Sequence, residues 1–261
     1  ASAPSGTSSP RGAAATTWPL RKDGVRDRSV SAGTPIHIKI QGHTMPINQQ
    51  VMDPLMIQRM LGEAITPAQT AVLERDRELN LSFGRRDLGN FRVNVFWQRN
   101  SPAVVVRYIQ SEIPSIVELG LPQVLTEVVM EKRGLILVVG ATGSGKSTTL
   151  ASMIDTRNAL MSGHILTIED PVEYQFRNKK SIVNQREIGM DTEGWAPALK
   201  NAMREAPDVI LIGEILDATT MEAAIAFAET GHLCLATLHS NNADQTIERI
   251  LNFFPESAHK N

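Results

Sequence analysis

Gly140-Ala141-Thr142-Gly143-Ser144-Gly145-Lys146-Ser147 is the stretch on which the reading of this chain turns. It fits the pattern G-x-x-x-x-G-K-[ST] in full. The apolar run Leu135–Val139 precedes it and a helical pattern starts at Lys146, the strand–loop–helix context in which that pattern binds phosphate. Glycines at 140, 143 and 145 let the loop wrap tightly with its backbone N–H groups turned inward. The helix adds the positive end of its dipole. Lys146 is expected on the β- and γ-phosphates of ATP, the Ser147 hydroxyl on Mg²⁺, and Thr148 completes the nucleotide-binding run.

Outward from the loop, continuous apolar runs alternate with helical patterns, the grammar of a parallel sheet covered on both faces. The runs are Leu135–Val139, Ile165–Ile168, Val209–Ile212 and Leu233–Leu238, and the helices are expected at Lys146–Leu160, Ala196–Arg204 and Thr219–Thr230. A further helical segment surrounds Ala243–Leu251. In such sheets the carboxyl ends of neighbouring strands share one crevice. Two strands run into acids there: Glu169-Asp170-Pro171-Val172-Glu173 after the second, Gly213-Glu214 after the third. An acid at that place holds a metal-bound water or orients the attacking one. Glu169, Asp170 and Glu173 are candidates as a group, with Glu169 and Asp170 also candidate Mg²⁺ ligands, and the sequence does not separate them. Gly213 stands where many enzymes with this loop carry a metal-binding aspartate, which points Glu214 to the water. His239, at the carboxyl end of the last strand, is placed to sense the γ-phosphate; for His232, at the opposite end, structural and functional readings are even. Cys234, the single cysteine, reads as apolar packing.

Upstream the pattern differs. Residues Ala1 to about Thr17 carry almost no large apolar side chain and are expected to be disordered. Leu20–Ser29 matches no element, so that 1–29 forms a segment apart and order is expected from Val30. Ile36, Ile38 and Ile40 alternate with polar residues as in a half-buried strand, which Gly42-His43 turns back into Thr44–Ile47. Helices are expected at Asp53–Leu61 and from Thr66-Pro67 to about Leu79, the latter with an N-cap and a first-turn proline. Phe91–Arg99 and Ala103–Ile109 read as a hairpin. The expected division is an α+β domain over 30–110, a linker over 111–122, and an α/β domain over 123–261.

The whole has 42% hydrophobic and 21% charged residues, which is ordinary for a globular chain. A net charge of -2 offers nucleic acid no bulk attraction, and no apolar run is long enough to span a membrane. One cysteine cannot form an internal disulfide. These traits predict an intracellular protein without a transmembrane segment and disfavour a DNA translocase.

Four motifs in order, the phosphate loop, Glu169–Glu173, Pro207–Glu214 and Thr230–His239, resemble the Walker A, Asp box, Walker B and His box of secretion and type IV pilus ATPases. Ala224–Glu229, Cys234 and Asn252-Phe253-Phe254-Pro255 resemble the PilU branch more than PilT. The resemblance implies a RecA-like core truncated at its C-terminal side, preceded by a PAS-like domain. It also implies a homo-hexamer, or an assembly with a paralogous retraction ATPase, acting on a platform protein at the cytoplasmic face of a bacterial inner membrane. It places Arg92 and Arg107, with Arg99 as a third candidate, on nucleotide from the N-terminal domain. The expected work is ATP hydrolysis driving pilus retraction and twitching motility. An ATP-binding accessory subunit and a type II secretion or pilus-extension ATPase are the alternatives, although the latter usually carry a Cys-x-x-Cys insert. Two departures stand out. Leu216 replaces an arginine after the third strand, and the family's Lys-Gly-x-Ser-Asp-Leu is not recognisable in Lys22–Val30.

Overall fold

A computed structural model describes residues 27–40, 43–85 and 89–254. The chain divides at Ile109/Gln110 into two compact units.

The first unit begins with β1 (Asp27–Val30), β2 (His37–Ile40) and β3 (His43–Pro46), continues through α1 (Pro54–Ala64) and α2 (Pro67–Asp76), and ends with β4 (Glu78–Arg85), β5 (Gly89–Gln98) and β6 (Ser101–Ile109). The six strands form one antiparallel sheet in the order β3-β2-β1-β6-β5-β4. Both helices start where local chemistry dictates. The Asp53 side chain accepts from the Met56 N–H at 2.8 Å, and Thr66 with Gln69 forms a reciprocal capping box. Phe91, Val93 and Val95 alternate into a core closed by Ile57, Met60 and Leu61 of α1 and Leu73 of α2. Between β5 and β6, Arg99 and Asn100 both take positive φ (45° and 59°), the geometry of a two-residue hairpin turn.

Three expectations for this unit need correction. Helix α2 stops at Asp76, because Arg77 turns left-handed (φ 63°) and Leu79, Leu81 and Phe83 then alternate as strand β4. Strand pairing already includes Asp27, ahead of the expected start near Val30, because Asp27–Val30 pairs with both β2 and β6. The stretch Leu20–Ser29 therefore ends inside a strand. The expected disorder of Ala1–Thr17, the Gly42 turn and Pro255 lie outside the described residues.

The second unit comprises α3 (Val124–Val128), β7 (Gly134–Val139), α4 (Lys146–Leu160), β8 (His164–Glu169), β9 (Ile182–Glu187), α5 (Trp195–Ala202), β10 (Val209–Ile212), α6 (Ala218–Glu229), β11 (Leu233–Leu238) and α7 (Ala243–Asn252). Its sheet is parallel throughout, in the order β7-β11-β10-β8-β9. Each central strand divides its apolar residues between two faces. Ile165, Val209, Leu211 and Leu235 pack with Leu150, Met153 and Ile154 of α4, while Leu166, Ile210, Ile212 and Ala236 pack with α5 and α6. That two-sided burial is why these strands read as unbroken apolar runs. Edge strand β9 was not expected from the sequence; its polar, half-exposed residues give no such run. Within 111–122, Ile116 is buried in the same core as α4.

Candidate functional site

The glycine loop closes between β7 and α4 as its composition requires. Gly143 and Gly145 take φ of 79° and 97°, a region that L side chains avoid. Lys146 opens α4, and its ammonium donates to the Gly140 and Ala141 carbonyls at 3.0 and 3.1 Å. Thr148 Oγ1 lies 3.0 Å from the Tyr174 hydroxyl, tying the first turn of α4 to the segment after the acidic cluster.

One cleft gathers most of what the sequence nominated: Thr142, Gly143, Lys146 and Ser147 from the loop and helix, Glu169 from the end of β8 with Asp170 and Glu173 beyond it, Glu214 from beyond β10, and His239 from beyond β11. Gly140 and Ala141 line an adjoining hollow that His239 also borders. The acids are not equivalent. Glu169 is buried, and its carboxylate accepts from the Thr167 hydroxyl (2.6 Å) and the Gln185 amide (3.3 Å). Burial pushes its pKa up to about 7, against the opposing pull of those hydrogen bonds and one from the Glu173 backbone. Glu214 is about one-third exposed, and its Oε1 lies 3.1 Å from His239 Nε2. His239 Nδ1 lies 3.4 Å from Lys146 Nζ.

Gly213 sits where these strand tips meet. Its N–H donates to the Ile168 carbonyl (2.8 Å) and its own carbonyl accepts from the Thr237 hydroxyl (2.5 Å). A Cβ placed there would come within 3.1 Å of the Glu169 Cα and 3.3 Å of the Ile168 carbonyl. A side chain at 213 would therefore crowd the β8 tip, whose backbone would have to give by a few tenths of an ångström. Ser147, Glu169 and Asp170 all border the cleft. Among the described residues no three His, Cys, Asp or Glu side chains cluster as a metal cage.

Elsewhere the nominations separate. His232, at the other end of β11, bonds within its own turn, its Nδ1 lying 3.2 Å from the Phe227 carbonyl. Cys234 is fully buried and its thiol is pushed up to about 12 by desolvation, which makes it packing. Arg92 and Arg107, in the first unit, are direct cross-strand partners on β5 and β6, and Asp27 faces Arg107 from β1. Arg107 Nε donates to Asp27 Oδ1 at 2.9 Å. Arg99 lies in the hairpin turn, away from that row. Sequence reasoning missed Thr237, Gln185 and Arg249, whose Nη1 donates to the His239 carbonyl at 2.9 Å. Thr237 carried a signal, a polar residue inside an apolar strand one turn of the pleat from His239. The other two carried none.

The family model for type II/IV secretion system proteins matches residues 27–258. This chain belongs to that family. It is 46% identical to the type IV pilus ATPase PilU of Pseudomonas aeruginosa over 236 residues, 90% of this chain and 62% of that protein. It is 42% identical to the retraction ATPase PilT of the same organism, over 90% of this chain and 68% of that one. A crystal structure of the pilus retraction motor PilT with bound ADP superposes with a TM-score of 0.83 at 47% identity, covering 89% of this chain and 68% of that one. The chain thus spans about three fifths of the length of the first of these curated relatives. The chain is thus a mixed α/β protein with a parallel sheet, and the solved structure it matches is that of a pilus retraction motor. Among the described residues no helix is long and apolar enough to cross a membrane.

Proposed function

We propose that this chain is the greater part of an ATP-hydrolysing motor subunit for type IV pilus retraction, and hence twitching motility. The observation that carries the proposal is the shared cleft in which Lys146, Ser147, the Glu169–Glu173 acids, Glu214 and His239 meet. The likeness to PilU and PilT supplies the pilus context.

In this reading the loop N–H groups and Lys146 hold the β- and γ-phosphates of ATP. Glu214, about one-third exposed and held by His239, aligns a water for attack on the γ-phosphorus and takes its proton as ADP and phosphate separate. Ser147, Glu169 and Asp170 would hold a magnesium ion, which would supply neutralisation of the charge on the phosphates. Glu173 supports that acidic wall. His239 joins Glu214 to the phosphate loop before nucleotide enters, and Arg92 and Arg107, cross-strand partners in a PAS-like first domain, are the arginines proposed to act on nucleotide. Residues 123–261 form the RecA-like nucleotide domain, joined through 111–122. The assembly is a homo-hexamer, or a ring shared with a paralogous retraction ATPase, working in the cytoplasm against an inner-membrane platform protein. One observation favours an accessory role instead: Leu216, 49% exposed, stands where the resemblance puts an arginine.

The test is steady-state phosphate release by the full-length protein. Lys146→Ala is expected to abolish turnover and nucleotide binding together, whereas Glu214→Ala keeps binding and loses turnover. Phosphate release by Lys146→Ala near the unmutated level would refute the assignment.

A further inference from the structure

His239 has a second consequence, which depends on the reading of this cleft as a nucleotide site. An ammonium group has three N–H donors and no acceptor. Those of Lys146 face three acceptors of its own protein: the Gly140 carbonyl, the Ala141 carbonyl and His239 Nδ1, at 3.0, 3.1 and 3.4 Å. Because lysine can only donate, Nδ1 must be the acceptor and the neutral ring carries its proton on Nε2. That proton points at Glu214 Oε1, 3.1 Å away. The imidazole therefore bridges a cation from the loop and an anion from the β10 tip, each in its required hydrogen-bonding role. With Lys146 only 9% exposed, none of its donors is left for a phosphate.

We propose that Lys146, His239 and Glu214 form a clasp that closes the phosphate site when no nucleotide is present, with His239 as the positioning residue that nucleotide must displace. The two carbonyl contacts lie within the flexible reach of the lysine itself. The histidine adds the link to a different strand and so sets how far the closed arrangement is favoured. Binding then follows the rule for a protein whose competent form is a fraction of the whole: apparent affinity is the intrinsic affinity scaled by that fraction. Removing the clasp should tighten binding, and it should do so through the association rate, since the bound state no longer contains the contact. A histidine that touches the phosphates in the bound state would give the opposite sign, through dissociation.

The experiment is stopped-flow binding of fluorescent ADP in EDTA to the whole chain, comparing the unmutated protein with His239→Ala, His239→Leu and His239→Gln. Alanine and leucine are expected to raise the association rate by about threefold or more and leave dissociation unchanged. Glutamine, which can accept from Lys146 through Oε1 and donate to Glu214 through its NH₂, should restore the unmutated rates. Leucine keeps the bulk of the ring and decides the matter if the alanine variant does not fold. Equal or weaker binding by the foldable variants, or a faster dissociation rate, overturns the clasp. If the unmutated chain binds ADP no better than Lys146→Ala, the nucleotide reading itself fails, and the clasp with it.

Discussion

Arg157 in the parallel-sheet unit and Arg28 in the antiparallel one are 5% and 4% exposed, yet their surroundings could hardly differ more. Arg157, on α4, donates from Nη1 to the Val129 and Glu131 carbonyls at 2.6 and 2.7 Å and so ties α4 to the end of α3. Arg28, on β1, pairs across the sheet with buried Ile38 and Val106, and its Nε and Nη1 find no partner among the described residues. Desolvation lowers the pKa of both guanidinium groups. Burial of a charge thus says little about its contribution to stability; what counts is whether its donors are used. Arg157 meets that condition, and Arg28, on the strand where the expected family motif is not recognisable, does not meet it among the described residues.

Three experiments press on this contrast. The largest effect is expected for Arg157→Leu, which strands the buried Val129 carbonyl and the part-buried Glu131 one and should cost about 4 kcal/mol in chemical denaturation. A loss near zero would erase the difference between the two arginines. Glu169 gives the next. Its folded pKa of about 7 lies above the usual 4.5, so the folded protein holds the proton more tightly than the unfolded one. The stability this contributes is complete below about pH 4.5 and fades as pH rises through 7, by about 3 kcal/mol in the nucleotide-free protein. Unfolding measured at pH 5 and pH 8 should show that decline in the unmutated chain and not in Glu169→Gln. A parallel decline in both would mean the carboxyl is less isolated than its burial implies. The smallest is a gain: Arg28→Met removes unpaired donors while keeping length, and should stabilise the chain by about 2 kcal/mol. A loss instead would mean that the buried Arg28 guanidinium contributes to stability.

Much of this was open to reading before any fold was known. The loop at 140–147 required the positive φ of Gly143 and Gly145, and the caps at Asp53 and Thr66 appear where their side chains announce them. Strand β4 was also legible, since Leu79, Leu81 and Phe83 alternate, but the helical pattern ahead of it was carried three residues too far. Strand β1 hid itself: a four-residue strand with an arginine at an inward position imitates no apolar period.

By itself, then, the sequence determined the phosphate loop, the central parallel strands and the acids at their tips, because each depends on residues adjacent in the chain. Only the tertiary structure decided that Gly213 lies tightly against the backbone of Ile168 and Glu169, that Arg92 faces Arg107, and that His239 joins Lys146 to Glu214. Those pairings follow from strand register and from the order of strands in a sheet. Register is a property of contacts between distant segments, and nothing local to either partner encodes it.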